Sequence, residues 1–224
     1  MDVVVSLGVA IVVIGIVYFY LKSQSGYVKN TIDIKHGTED GRTEFSSKQA
    51  LPKSFNQPEG ITFSYTCWVR IDNFAYRYGQ QRLIFTKGPT DLSTMSPALL
   101  IDANTNSLLV KLSTFGNTEV VPIPNIPAKK WIHVAIAVDQ DAMEVYINGT
   151  LRTHHTLTQL PRQNTDTVHT GVQGGFDGKI ALLQYYSHFL TPSDVATSMQ
   201  AVPKEQKEEN VLPPYFDISW WTTG

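Results

Sequence analysis

One cysteine in 224 residues excludes any intramolecular disulfide, so the chain is no disulfide-stapled secreted module, and a reducing compartment is favoured. Cys67 lies inside an apolar strand pattern, where a small buried hydrophobe is expected instead of a reactive thiol. Charge of either sign is nearly balanced, with a formal net charge of −2, so nothing electrostatic points to nucleic acid. Internal repeats are missing, and helical periodicity is almost absent beyond the first 22 residues. A chain of this length can bury one large β domain.

What is present first is an uncharged run from Val3 to Leu21, with Leu7, Ile11, Ile14 and Tyr18 within it. As a helix it would extend about 28 Å, close to the hydrocarbon thickness of a bilayer. Asp2 stands where a signal peptide carries basic residues, the run is long, and no A-x-A cleavage pattern follows. A retained single-pass anchor over residues 1–22 is therefore expected, with Tyr18 in the interfacial belt. Lys22 and Lys29 follow the run, which places the bulk of the chain on the cytoplasmic-equivalent side. Residues 23–50 are polar and dotted with glycine; they read as a juxtamembrane stalk with one short strand near Ile32–Ile34.

From Leu51 to Gln200 the chain reads as short antiparallel strands. Trp131–Val138 alternates Ile132, Val134, Ile136 and Val138 against Trp131, His133, Ala135 and Ala137. The small alanines predict a second layer packed over that other face. Glu144–Asn148 returns as partner strand, and Asn148-Gly149 predicts a type I′ turn, which needs positive φ at both positions. That turn also accounts for the sequon-like Asn148-Gly149-Thr150. Further strands are expected at 61–71, 82–87, 98–102, 108–113, 120–123, 150–157, 167–171 and 178–186. Thr191 as cap, Pro192 at the first turn and Asp194 predict a short helix. Residues 201–224 form a charged linker and an aromatic tail with Tyr215, Phe216, Trp220 and Trp221, either docked back or offered to a partner. The fold class is all-β: a jelly-roll-like sandwich of two antiparallel sheets preceded by one transmembrane helix.

Phe63–Arg70, Ile84–Gly88, Trp131–Ala135, Val145–Gly149 and Phe176–Ile180, followed by Tyr186 and Leu190-Thr191, resemble laminin-G-like domains of the concanavalin A-like lectin/glucanase superfamily. The resemblance implies a jelly-roll sandwich. The opening Leu51–Gln57 joined to an N-terminal anchor resembles membrane proteins of large DNA viruses of algae and protists. That likeness implies a virion protein between inner membrane and capsid shell, with the bilayer and other structural proteins as partners.

The superfamily's glucanases carry Glu-x-Asp-x-x-Glu on one strand, with alternate carboxylates in one cleft. Asp139, Asp141 and Glu144 resemble it, but Gln140–Ala142 is expected to turn, so the carboxylates would not share a strand face. Laminin-G-like calcium sites suggest Asp102, Asn104 and Asp177, yet no acidic cluster gathers them and polar turns are the expectation. His154 and His155 point to opposite faces of a strand, which does not suit zinc, and His133 reads as a packed strand residue. Gly171-x-x-Gly174-Gly175 reads as a tight turn, and no nucleophile elbow is present. The expectation is a non-enzymatic contact module needing no cofactor. Carbohydrate binding through Phe74, Tyr76 and Tyr78 is the alternative, and a glucanase ranks below it.

Overall fold

The structure is a computed structural model that describes residues 12–18, 31–48, 51–54 and 60–203. Its strands are β1 (Thr31–Asp40), β2 (Phe45–Ser46), β3 (Phe63–Ile71), β4 (Arg82–Lys87), β5 (Ala98–Ile101) and β6 (Leu108–Ser113), then β7 (Thr118–Ile123), β8 (Trp131–Val138), β9 (Ala142–Ile147), β10 (Thr150–Thr156), β11 (Val168–Thr170) and β12 (Gly178–Tyr186). They form two six-stranded antiparallel sheets, ordered β1-β12-β3-β8-β9-β10 and β2-β11-β4-β5-β6-β7. The main core lies between them and includes Phe63, Tyr65, Cys67, Phe85, Ile132, Val134, Ile136 and Phe176. Burial pushes the Cys67 thiol up, so it stays protonated inside the core.

Both outer faces also carry apolar layers, which explains why β3, β4 and β8 are buried along almost their whole length. Over the first sheet a helix, α1 (Pro192–Ser198), packs Val195 with Leu190 onto Ala135, Ala137 and Tyr146. This is the second layer the alanines predict. Over the second sheet the loop before β5 and a 3₁₀ turn (Val172–Gly174) bring Met95 and Val172 onto Leu83, Leu100 and Leu109. The Thr191 hydroxyl accepts from Asp194 N, and Asp194 answers to Thr191 N, closing a capping box. Asn148 (φ 49°) and Gly149 (φ 76°) both take the left-handed conformation, as the hairpin reading requires.

Residues 31–46, read from the sequence as stalk, instead supply an edge strand of each sheet. β1 was hard to see because only Ile34 of its ten residues is buried and two register shifts break its alternation. Of the expected anchor residues, Ile14 and Tyr18 fall in a helical stretch, 12–18, with 67% and 66% of their surface exposed. Val3, Leu7, Ile11 and Leu21 lie outside the described residues, as do Tyr215, Phe216, Trp220 and Trp221. Among the described residues no helix is long and apolar enough to cross a membrane.

The registers give the sandwich two distinct ends. One gathers the loops 72–81, 102–107, 124–130 and 171–177. The opposite end holds 88–97, 114–117, 139–141 and 157–167, and β1 enters there, because Thr31 pairs with Tyr186.

Candidate contact surface at the loop end

The first of these ends is built on Arg82. This arginine opens β4 and is 1% exposed, yet its guanidinium lies among backbone carbonyls and not against a carboxylate. It donates to Phe74 O, to Tyr76 O at 3.0 Å and to Asp102 O, joining the 72–81 loop to the β5–β6 turn. Burial lowers its pKa, and the nearby Asp102 charge works in the other direction. A buried cation with several charge-assisted hydrogen bonds holds a loop rigidly.

The aromatic loop is thereby divided. Phe74 packs on the core and is only partly exposed. Tyr76 donates its hydroxyl to Gly174 O at 3.0 Å, while the Arg42 guanidinium stands 4.8 Å over its ring. Arg42 in turn donates to Asp177 Oδ1 at 2.6 Å, and that hydrogen bond raises the arginine pKa. Arg77 donates to Gln173 O and to Gln80 Oε1. Tyr78 alone of the three aromatics is freely presented, at 66% exposure. The result is a solvent-facing tyrosine on a base tied down by Arg82, Arg77 and the Tyr76–Arg42 contact.

The oxygens considered for calcium are differently employed. Asp102 Oδ2 accepts from Thr105 Oγ1 (2.7 Å), Thr105 N and Asn104 N, which lowers its pKa, the Thr105 hydroxyl contributing most. Asp177 is the ion partner of Arg42, and Asn104 is exposed. Among the described residues no three His, Cys, Asp or Glu side chains are grouped for a metal.

The glucanase-like carboxylates also part company. Asp139 Oδ1 accepts from Asp141 N (2.8 Å) and Ala142 N (2.6 Å), so the first two acids belong to the turn that the sequence places there. Glu144 sits on β9, accepts the Tyr146 hydroxyl at 2.5 Å and lies 3.1 Å from His154 Nδ1. His155, on the other face, pairs with Glu119. His133 lies beneath α1, edge-on to Trp68 at 5.3 Å between ring centroids, with Nε2 3.2 Å from Ser198 Oγ. Burial pushes its pKa down to about 4, which keeps it neutral. Beside α1 runs an open groove of about 400 Å³ lined by Gln184, Tyr186, His188, Asp194 and Ser198.

Sequence reasoning missed Arg82 and Arg42. The signal for Arg82 was its place at the start of an apolar strand, which marks a cation that must find partners if the strand is buried. Arg42 carried no such signal, because its partners come from residues more than thirty positions away.

The profile of the Laminin_G_3 family, described as the concanavalin A-like lectin/glucanases superfamily, matches residues 40–196. The chain belongs to this superfamily. Among curated proteins, SH2 domain-containing protein A of Arabidopsis thaliana is 28% identical over 143 residues, 54% of this chain and 22% of that protein. Among solved structures, the binding domain of Paraclostridial Mosquitocidal Protein 1 superposes with a TM-score of 0.55 at 15% identity, covering 75% of this chain and 46% of that one. The botulinum neurotoxin serotype D binding domain gives 0.54 at 16% identity, covering 77% and 46%. This superfamily member thus spans about a fifth of its curated relative and under half of each toxin domain, and the structural likeness concerns the fold.

Proposed function

We propose that the protein is a non-enzymatic contact module, tethered to a lipid bilayer through residues 3–21 and meeting other structural proteins through the loop end of its sandwich. In a virion the domain would then lie between the inner membrane and the capsid shell, on the cytoplasmic-equivalent side. The observation that carries the reading is the loop base held by Arg82, from which Tyr78 projects. An aromatic presented on a pre-ordered support loses little freedom on binding, which suits it as an interface anchor. Tethering raises the local concentration, so individually weak contacts suffice. One toxin neighbour is the receptor-binding domain of the botulinum neurotoxin C/D mosaic and another is a botulinum binding domain in complex with rat synaptotagmin II; they support a binding role for this sandwich.

Replacing Tyr78 by a photo-crosslinking phenylalanine analogue in the native assembly tests this. Cross-links to a neighbouring structural protein are expected, while cross-linking to water alone sinks the proposal. A second reading, carbohydrate binding, draws on the same tyrosine, because an exposed ring on a braced loop can stack on a sugar. Glycan-array binding that Tyr78→Ala removes would favour it.

A further inference from the structure

Phe115 and Leu160 are 70% and 48% exposed, and they sit together at the end of the sandwich opposite Tyr78. Their loops are bonded to each other. Phe115 N donates to Leu160 O at 3.0 Å, Arg162 N donates to Ser113 O at 2.8 Å, and Thr114 bridges Pro161. Within the hairpin, Thr114 Oγ1 donates to Asn117 O and accepts from Gly116 N. Two large apolar side chains are thus held out into solvent on a braced tip.

The same end receives the chain from the expected anchor. β1 begins there, and only residues 22–30 separate Leu21 from Thr31. Nine residues reach at most about 30 Å. The far side of a six-stranded sheet lies only about 24 Å across from β1. A tether of that reach allows this end to meet the bilayer with the Tyr78 end directed away from it.

We propose that Phe115 and Leu160 insert into the interfacial zone of the bilayer that anchors the chain, making a second attachment point across the sandwich from β1. The inference rests on the anchored reading above. Exposed charges at this end are mixed, with Asp91, Asp141 and Asp166 beside Lys53 and Arg162. Attraction to anionic lipid is therefore not the driving force; apolar burial in neutral lipid is.

The test uses the full chain in phosphatidylcholine nanodiscs, nitroxide-labelled at Phe115→Cys, Leu160→Cys or Tyr78→Cys. Cys67 is 1% exposed and does not compete for label. Collision with oxygen relative to a water-soluble nickel chelate should be several-fold higher at 115 and 160 than at 78, and unchanged by added salt. Equal, water-like values at all three sites overturn the inference. Carbonate extraction of the same sample separates the two ideas. If the chain washes off, the anchor and the tip contact fall together. If it stays while 115 and 160 read as water, or as protein-covered once a partner is added, only the tip contact falls.

Discussion

His133 carries the plainest pH consequence of any single residue. Its folded pKa near 4 lies below the ordinary imidazole value of 6.5, so the native state prefers the neutral ring. The stability that goes with neutrality is complete above pH 6.5 and is lost as pH falls toward 4, by about 3 kcal/mol. Urea denaturation between pH 7 and 4 should show this loss, and His133→Gln should flatten it; equal slopes in both proteins would remove the assignment. Arg82 acts through partners the chain cannot otherwise satisfy. Arg82→Ala leaves the carbonyls of Phe74, Tyr76 and Asp102 without their donor and should cost about 2–5 kcal/mol. A conservative Arg82→Lys should recover little, because one ammonium cannot span three carbonyls arranged for a planar fork. Thermal unfolding of the two variants distinguishes these outcomes. Local chemistry announced His133 as a packed strand residue, whereas Arg82's acceptors lie on two separate loops that no spacing rule links.

At the scale of the element, hairpins and caps follow from neighbours in sequence. Asn148-Gly149 and the Thr191-Pro192-x-Asp194 start are where the residues place them, since positive φ and capping are decided within four residues. Gly149→Val puts a β-branched residue at φ 76°, with its Cβ 2.9 Å from Met199 Sδ. It should cost more than about 1 kcal/mol, read as a lowered Tm. The exposed edges are harder to read. β7 contains Pro122, β10 shifts register at Leu151/Thr153, and β1 shifts twice. These irregularities guard an edge against pairing with another chain, and they also erase the alternation by which a strand is recognised. That is why 31–40 passed for a stalk.

Over the whole molecule, the order of apolar, β-branched segments and turn residues determined an all-β sandwich, because alternation and turn chemistry are local consequences of backbone sterics. It also determined that Asp139 and Asp141 belong to a turn and that the alanines of β8 must be covered. Tertiary structure alone decided which loops meet at which end. The β1–β12 register brings the chain in at the same end as the Phe115 tip and leaves Tyr78 at the opposite pole. Pairings between residues more than a hundred positions apart, such as Arg42 with Asp177, depend on the order of strands in the sheets. That order is set by the burial of both sheets together, a collective quantity that no stretch of sequence holds by itself.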